Sequence, residues 1–155
     1  MKEKKYIICN YAKANWGKTK TLLKVIEILK ENSNNLDLDQ YKFINEKPDT
    51  GKDKWCHFSV KGKTVVISTL GDPYSPQLEW LTDAAKTEAK VIVTASRTRG
   101  VTLNHVYSVA NKYGYEVIWF ESFHFDNYVK DLPIFDIRKK EAEKIVEEID
   151  ILLNN

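Results

Sequence analysis

Arginine, glycine, proline and cysteine are all scarce in this chain of 155 residues. Six glycines and four prolines exclude a collagen-like or low-complexity protein, since those classes are rich in both residues. The two cysteines, Cys9 and Cys56, lie in separate apolar runs without metal-site spacing, so we expect buried free thiols. No apolar run reaches membrane-spanning length, and the N-terminus has no signal-peptide pattern. These absences predict a cytoplasmic protein without a membrane partner.

The charged residues are nearly balanced, which gives little indication of a polyanionic partner. The formal net charge is +2, and the lysines are spread along the chain instead of clustering on one element. Nucleic-acid binding is therefore the least favoured function. Of the 24 basic residues, three are arginine, and two of these, Arg97 and Arg99, lie one residue apart in SRTRG. This pair invites a specific role.

Length and residue pattern predict one domain over residues 1–155, which is long enough to bury a core without disulfides or a metal. Strand-like and helix-like segments alternate, as in βαβ units. The predicted fold is a three-layer α/β sandwich, with a mainly parallel sheet of five to six strands between helices. The predicted strands are 5–11, 39–45, 55–60, 64–69, 90–95 and 115–120, and the predicted helices are 18–31, 77–87, 102–113 and 136–153.

Several connections have recognisable turn and cap residues. The KGK between strands 55–60 and 64–69 predicts a hairpin, with its alternating first arm at the sheet edge and its apolar second arm at the centre. Ser75 is expected to cap the helix that follows, with Pro76 in its first position. Gly114 is expected to close the helix before the last strand.

The segment between the first strand and the first helix has the form of a phosphate-binding loop. It reads AKANWGKT, which fits G-x-x-x-x-G-K-[ST] except at its first position. In such a loop the backbone N–H groups and the helix N-terminus bind phosphate. Gly17 would allow close approach, Lys18 would reach the β- and γ-phosphates, and Thr19 would ligate Mg²⁺. The predicted nucleotide-binding residues are Ala12, Lys13, Ala14, Asn15, Trp16, Gly17, Lys18, Thr19 and Lys20. The alternative is a chance GKT in a lysine-rich chain.

Three further loops follow predicted strands, where ligands bind in sheets of this kind. Asp72 in TVVISTLGD would lie at the end of a neighbouring strand and hold Mg²⁺ or act as a base, unless it is a turn residue before proline. Arg97 and Arg99 would bind acceptor phosphates or the transferring phosphoryl group, unless they pair with surface carboxylates. The loop ESFHFDNY, residues 121–128, could form a lid, a base-binding wall or a packed surface loop.

Taken together, these loops resemble those of P-loop NTPases of the kinase-like kind. The resemblance implies binding of ATP and Mg²⁺, with phosphoryl transfer or ATP hydrolysis and an unidentified acceptor. It assigns catalytic roles to Lys18, Asp72, Arg97 and Arg99, and metal ligation to Thr19 and Asp72. Because the guanine-selecting Asn-Lys-x-Asp is absent, ATP is favoured over GTP. The alternative function is a nucleotide-dependent module that binds a protein or nucleic acid with little turnover.

The lysine positions of KANWGKT are also similar to the KGGxGKT loop of deviant-Walker ATPases. In that group the early lysine reaches a phosphate across a dimer, which implies a homodimer with Lys13 in this role. The two middle glycines are replaced by Ala14 and Asn15. The alternative for Lys13 is a solvated lysine.

Overall fold

The computed structural model describes residues 3–12, 18–38, 40–122 and 134–155, with side chains in the last range from Ile137 onward. The predicted elements are present, with ends within three residues of the predicted ones. In chain order they are β1 (Lys5–Tyr11), α1 (Lys18–Asn34), β2 (Tyr41–Glu46), β3 (Trp55–Val60), β4 (Lys63–Ser68), α2 (Gln77–Lys86), β5 (Val91–Ser96), α3 (Val101–Tyr113), β6 (Tyr115–Glu121) and α4 (Ile134–Leu153).

The described strands form one six-stranded sheet in the order β2-β3-β4-β5-β1-β6. Strands β4, β5, β1 and β6 pair in parallel, while β2 with β3 and β3 with β4 are antiparallel. The sheet is therefore mixed, and the prediction of a mainly parallel sheet was wrong. The reason lies in the connections: Lys61 and Gly62 form a two-residue hairpin turn with positive φ at both residues. The connection from β2 to β3 is likewise too short for a parallel crossover.

Strand β3 lies between β2 and β4, so the prediction that it forms the sheet edge was also wrong. Its alternating pattern has another cause, since Cys56, Phe58 and Val60 are fully buried while His57 and Ser59 on the opposite face are half-buried. The edge on this side is β2, where most residues are exposed. The central position predicted for β4 is confirmed.

The helices form two layers, one on each face of the sheet. Helices α1 and α4 pack together over one face, and α2 and α3 pack together over the other. Alternate residues of β1 enter the two cores: Tyr6 and Ile8 face α1 and α4, whereas Ile7 and Cys9 face α2 and α3. The α/β sandwich with helices on both faces is thus confirmed. None of the helices in the described ranges carries an apolar stretch that would suffice to cross a membrane.

The helix ends agree in part with the sequence. Gly114 closes α3 in the left-handed conformation, at φ 75°, as predicted. The cap of α2 differs, because Pro76 takes the N-cap position without a side-chain hydrogen bond. Ser75 instead donates its hydroxyl to the carbonyl of Asp72 at 2.6 Å, and so closes the turn that precedes the helix.

Candidate functional site

The carboxyl ends of β4, β5, β1 and β6 lie along one edge of the sheet, since these strands run parallel. At this edge the chain leaves β1 toward the layer of α1 and leaves β5 toward the layer of α3. β1 and β5 are neighbours whose connections diverge to opposite faces, and we call the sheet edge between these two connections the crevice. Such a switch point is the usual ligand site of an open α/β sheet.

Lys18 is the first residue of α1 and lies beside this crevice. The residue is 7% exposed, and its ammonium group donates to the carbonyl oxygen of Ala12 at 3.1 Å. Ala12 is itself buried, and its N–H extends the β1–β5 ladder by donating to the carbonyl of Ser96 at 3.2 Å. The lysine thus folds back over the start of the predicted phosphate loop, which is fixed to the sheet.

The first turn of α1 is basic. It contains Lys18 and Lys20 and no acidic residue, although a helix N-terminus is stabilised by negative charge. Thr19 is half-buried and Lys20 is exposed. Residues 13–17 lie outside the described residues, and so the predicted roles of Lys13, Ala14, Asn15, Trp16 and Gly17 stay predictions. The described part of the predicted loop favours an anion at this helix end.

Asp72 lies in the loop after β4, with a side chain that is 66% exposed. Its strand is not the neighbour of β1, because β5 lies between them. Two strand spacings of about 4.8 Å therefore separate the ends of β1 and β4, whereas a neighbouring strand was predicted, which would lie one spacing away. The carboxylate nevertheless acts electrostatically on Lys18, and its Oδ1 lies 4.0 Å from an Nη of Arg97.

The loop after β5 places Arg97 and Arg99 differently. The N–H of Arg97 donates to the hydroxyl of Thr102 at 2.9 Å, which fixes the loop to the start of α3. The side chain of Arg97 repels the charge of Lys18 and attracts that of Asp72, and its Nε has no hydrogen-bond partner among the described residues. Arg99 is exposed, and no described polar contact joins it to Lys18 or Asp72.

The electrostatic balance at the crevice is cationic. Burial lowers the pKa of Lys18, and repulsion by Arg97 lowers it further, while Asp72 offsets only part of this effect. Lys18 and Arg97 therefore lie close enough to repel each other, and the described acidic side chain that acts on both is the exposed Asp72. Buried charges are normally paired, so the buried Lys18 favours an anionic ligand beside it.

A buried hydrogen-bond network that the residue pattern does not predict supports the loop of Arg97. Gln77, at the start of α2, donates its amide to the carbonyl of Ala95 at 2.8 Å, and its amide oxygen accepts from Nδ1 of His105 at 2.9 Å. Gly71 lies against the same strand end, where a Cβ would be 2.9 Å from the Cβ of Ala95. The end of β5 is thus fixed by both of the helices on its face.

Two more buried polar contacts lie near the carboxyl ends of β1, β5 and β6. Ser122 donates its hydroxyl to Oδ1 of Asn10 at 2.6 Å, while the Asn10 Nδ2 has no partner among the described residues. Cys9 donates its thiol to the hydroxyl of Ser96 at 3.3 Å, and burial raises its pKa to about 12. The prediction of buried free thiols is confirmed for both cysteines. Asn10 is polar within the apolar run IICNY, and this is the sequence signal that could have revealed its hydrogen bond with Ser122.

The described oxygen donors near Lys18 are few. Among the described residues there is no group of three or more His, Cys, Asp or Glu side chains that could hold a metal. Mg²⁺ retains several waters and is bound through one or two carboxylates plus phosphate oxygens, so Asp72 could supply one carboxylate and Thr19 one hydroxyl. No described contact joins Thr19 to Asp72. Of the loop at residues 121–128, residues 123–128 lie outside the described part.

No family model, curated protein or solved structure matches this chain.

Proposed function

We propose that the crevice between β1 and β5 binds a magnesium-bound nucleoside triphosphate, ATP in preference to GTP, and supports transfer or hydrolysis of its terminal phosphoryl group. The observation that carries this proposal is the state of Lys18. It is a buried cation whose described hydrogen-bond partner is a carbonyl, at a helix end without an acidic residue. A phosphate group at this position would neutralise the charge of Lys18 and accept hydrogen bonds from the free N–H groups at the start of the helix.

The residues near Lys18 take the remaining roles. Arg97 interacts electrostatically with both Lys18 and Asp72, so its guanidinium can form paired hydrogen bonds with the phosphate group being transferred. Asp72 is exposed and can accept the proton of an attacking hydroxyl or hold a water of the metal. Thr19 and Asp72 would hold Mg²⁺, which would supply neutralisation of the phosphate charge. Arg99, which has no described polar contact with Lys18 or Asp72, is left for contacts with the acceptor.

Calorimetric titration with Mg-ATP tests the binding site. Replacing Lys18 by Met removes one charge-assisted phosphate contact and should weaken binding by about 10- to 150-fold. Lys24→Met is the matched control, because it removes an equal charge from the same helix at a residue that pairs with Glu27. Equal affinity of wild type and Lys18→Met would refute the phosphate-loop assignment.

Formation of ADP tests the second half of the proposal, because ADP is produced both by hydrolysis and by transfer to an acceptor. Wild type should form ADP from Mg-ATP, together with inorganic phosphate when water is attacked or a phosphorylated product when an acceptor is present. Arg97→Ala should slow ADP formation more than it weakens binding. Arg99→Ala should have the smaller effect of the two, because no described polar contact joins its side chain to Lys18 or Asp72. Tight binding without any ADP formation would instead favour a nucleotide-dependent binding module.

A further inference from the structure

Three aromatic rings from different elements meet on the β6 side of the crevice. Tyr11 ends β1, Trp119 lies in β6, and Tyr107 lies in α3. The rings of Tyr11 and Trp119 are 5.6 Å apart at 89°, and those of Tyr107 and Trp119 are 5.5 Å apart at 58°. We call this group the aromatic corner, because the first pair stands at right angles.

The aromatic corner is partly open to solvent. Trp119 is 37% exposed and Tyr107 is 46% exposed, while Tyr11 is half-buried. Aromatic rings contribute most when their area is buried, so exposed ring surface next to a ligand crevice is available for a planar partner. Two rings at right angles can offer such a partner one face to stack on and one edge to touch.

The position of the aromatic corner along the sheet edge indicates what that partner is. β6 lies on one side of β1, while the loops with Arg97 and Asp72 follow β5 and β4 on the other side. Tyr11 directly precedes Ala12, whose carbonyl oxygen accepts a hydrogen bond from the ammonium group of Lys18. The edge therefore has a cationic side and an aromatic side, with the start of the phosphate loop between them.

We infer that the aromatic corner binds the base of the nucleoside triphosphate, with the phosphates directed toward Lys18 and Arg97. This inference rests on the proposed function, since it assigns the base of the same ligand. Stacking uses the flat face that every base has, so the aromatic corner supplies affinity for a base without choosing between bases. A nucleoside triphosphate has a planar base at one end, which suits the aromatic side of the sheet edge, and a polyanion at the other end, which suits the cationic side.

Titration with two ligands separates the base from the phosphates. Mg-ATP carries both groups, whereas magnesium tripolyphosphate carries the phosphates alone. Wild type should bind Mg-ATP more tightly than it binds magnesium tripolyphosphate. Trp119→Leu should lose roughly 5- to 150-fold in affinity for Mg-ATP, with little change in its affinity for tripolyphosphate. Trp119→Phe should restore part of the loss. Tyr107→Leu, on an exposed helix face, gives the same test with less risk to folding.

Phe43→Leu is the matched control, because Phe43 is 39% exposed and lies on β2, the edge strand at the opposite end of the sheet. It should leave both affinities unchanged. If Mg-ATP and tripolyphosphate bind wild type equally, or the Trp119 and Tyr107 variants bind Mg-ATP like wild type, the base site is wrong and the phosphate site stands. If neither ligand binds wild type, the proposed function itself fails.

Discussion

Gly71 gives the sharpest test of how the site is built, because its replacement by alanine changes one contact. The backbone of Gly71 has an ordinary φ, so alanine fits its conformation, and only space is at issue. The new methyl carbon would be 2.9 Å from the Cβ of Ala95, 3.2 Å from its carbonyl carbon and 3.3 Å from its oxygen. Ala95 is fully buried in the central strand β5, so it cannot move aside cheaply.

Two opposing effects set the expected magnitude. Overpacking of this kind costs about 1–3 kcal/mol, while replacing glycine by alanine stabilises by about 0.4–1 kcal/mol through the unfolded state. The steric term is larger, and we expect a net loss of about 1–2 kcal/mol. For a chain of this length that loss lowers Tm by roughly 2–8 °C. The same clash would press on the carbonyl that accepts the hydrogen bond from Gln77.

Thermal unfolding followed by circular dichroism measures the loss of stability. A double-mutant cycle tests whether this loss comes from the contact with Ala95. Ala95→Gly removes the nearest atom, so the double variant Gly71→Ala, Ala95→Gly should lose less stability than the sum of the single changes. The coupling should be about 1 kcal/mol. A Gly71→Ala protein that melts at or above the wild-type temperature would refute the close approach of this loop to β5, and with it the position given to Asp72.

Two further predictions concern charge and pH. Lys18→Met should raise the stability of the ligand-free protein at neutral pH, because the lowered pKa of Lys18 means that folding disfavours its charged form. This gain in stability should shrink as the pH rises from the pKa of folded Lys18 toward 10.5, because the lysine of wild type then becomes neutral. A lower Tm for the variant at pH 7 would contradict the prediction. Tyr41→Phe should cost about 0.5–1 kcal/mol by removing the 2.9 Å hydrogen bond to Asp150. Burial and then Asp150 raise the pKa of Tyr41 to about 12, so this contribution is complete below pH 10 and is lost as the pH rises through 12, which urea titrations of wild type and variant at pH 8 and at high pH would detect.

The local structure of this protein was largely readable from the sequence. β1 was predicted with its observed bounds, since the apolar run KYIICNY is buried on both faces. α3 and its Gly114 end were predicted because helix periodicity and a glycine in the left-handed region are both local features. The carboxyl-end loops that contain Lys18, Asp72 and Arg97 were chosen from the alternation of strands and helices alone, and the structure places all three at one edge of the sheet.

Strand order and side-chain pairing were decided by the tertiary structure. The sequence pattern does not predict that β5 lies between β1 and β4. The order of these strands depends on how α2 and α3 pack together over one face of the sheet. The edge position of β2 and the mixed pairing likewise depend on long-range contacts that no window of residues contains. Arg97 is distinguished from Arg99 by a hydrogen bond to Thr102 and by its closeness to Asp72. The aromatic corner joins residues 11, 107 and 119, which are distant in sequence and meet only when the sheet has formed. Residue type and period thus determined the elements and the chemistry available to them, while packing determined which of those residues meet.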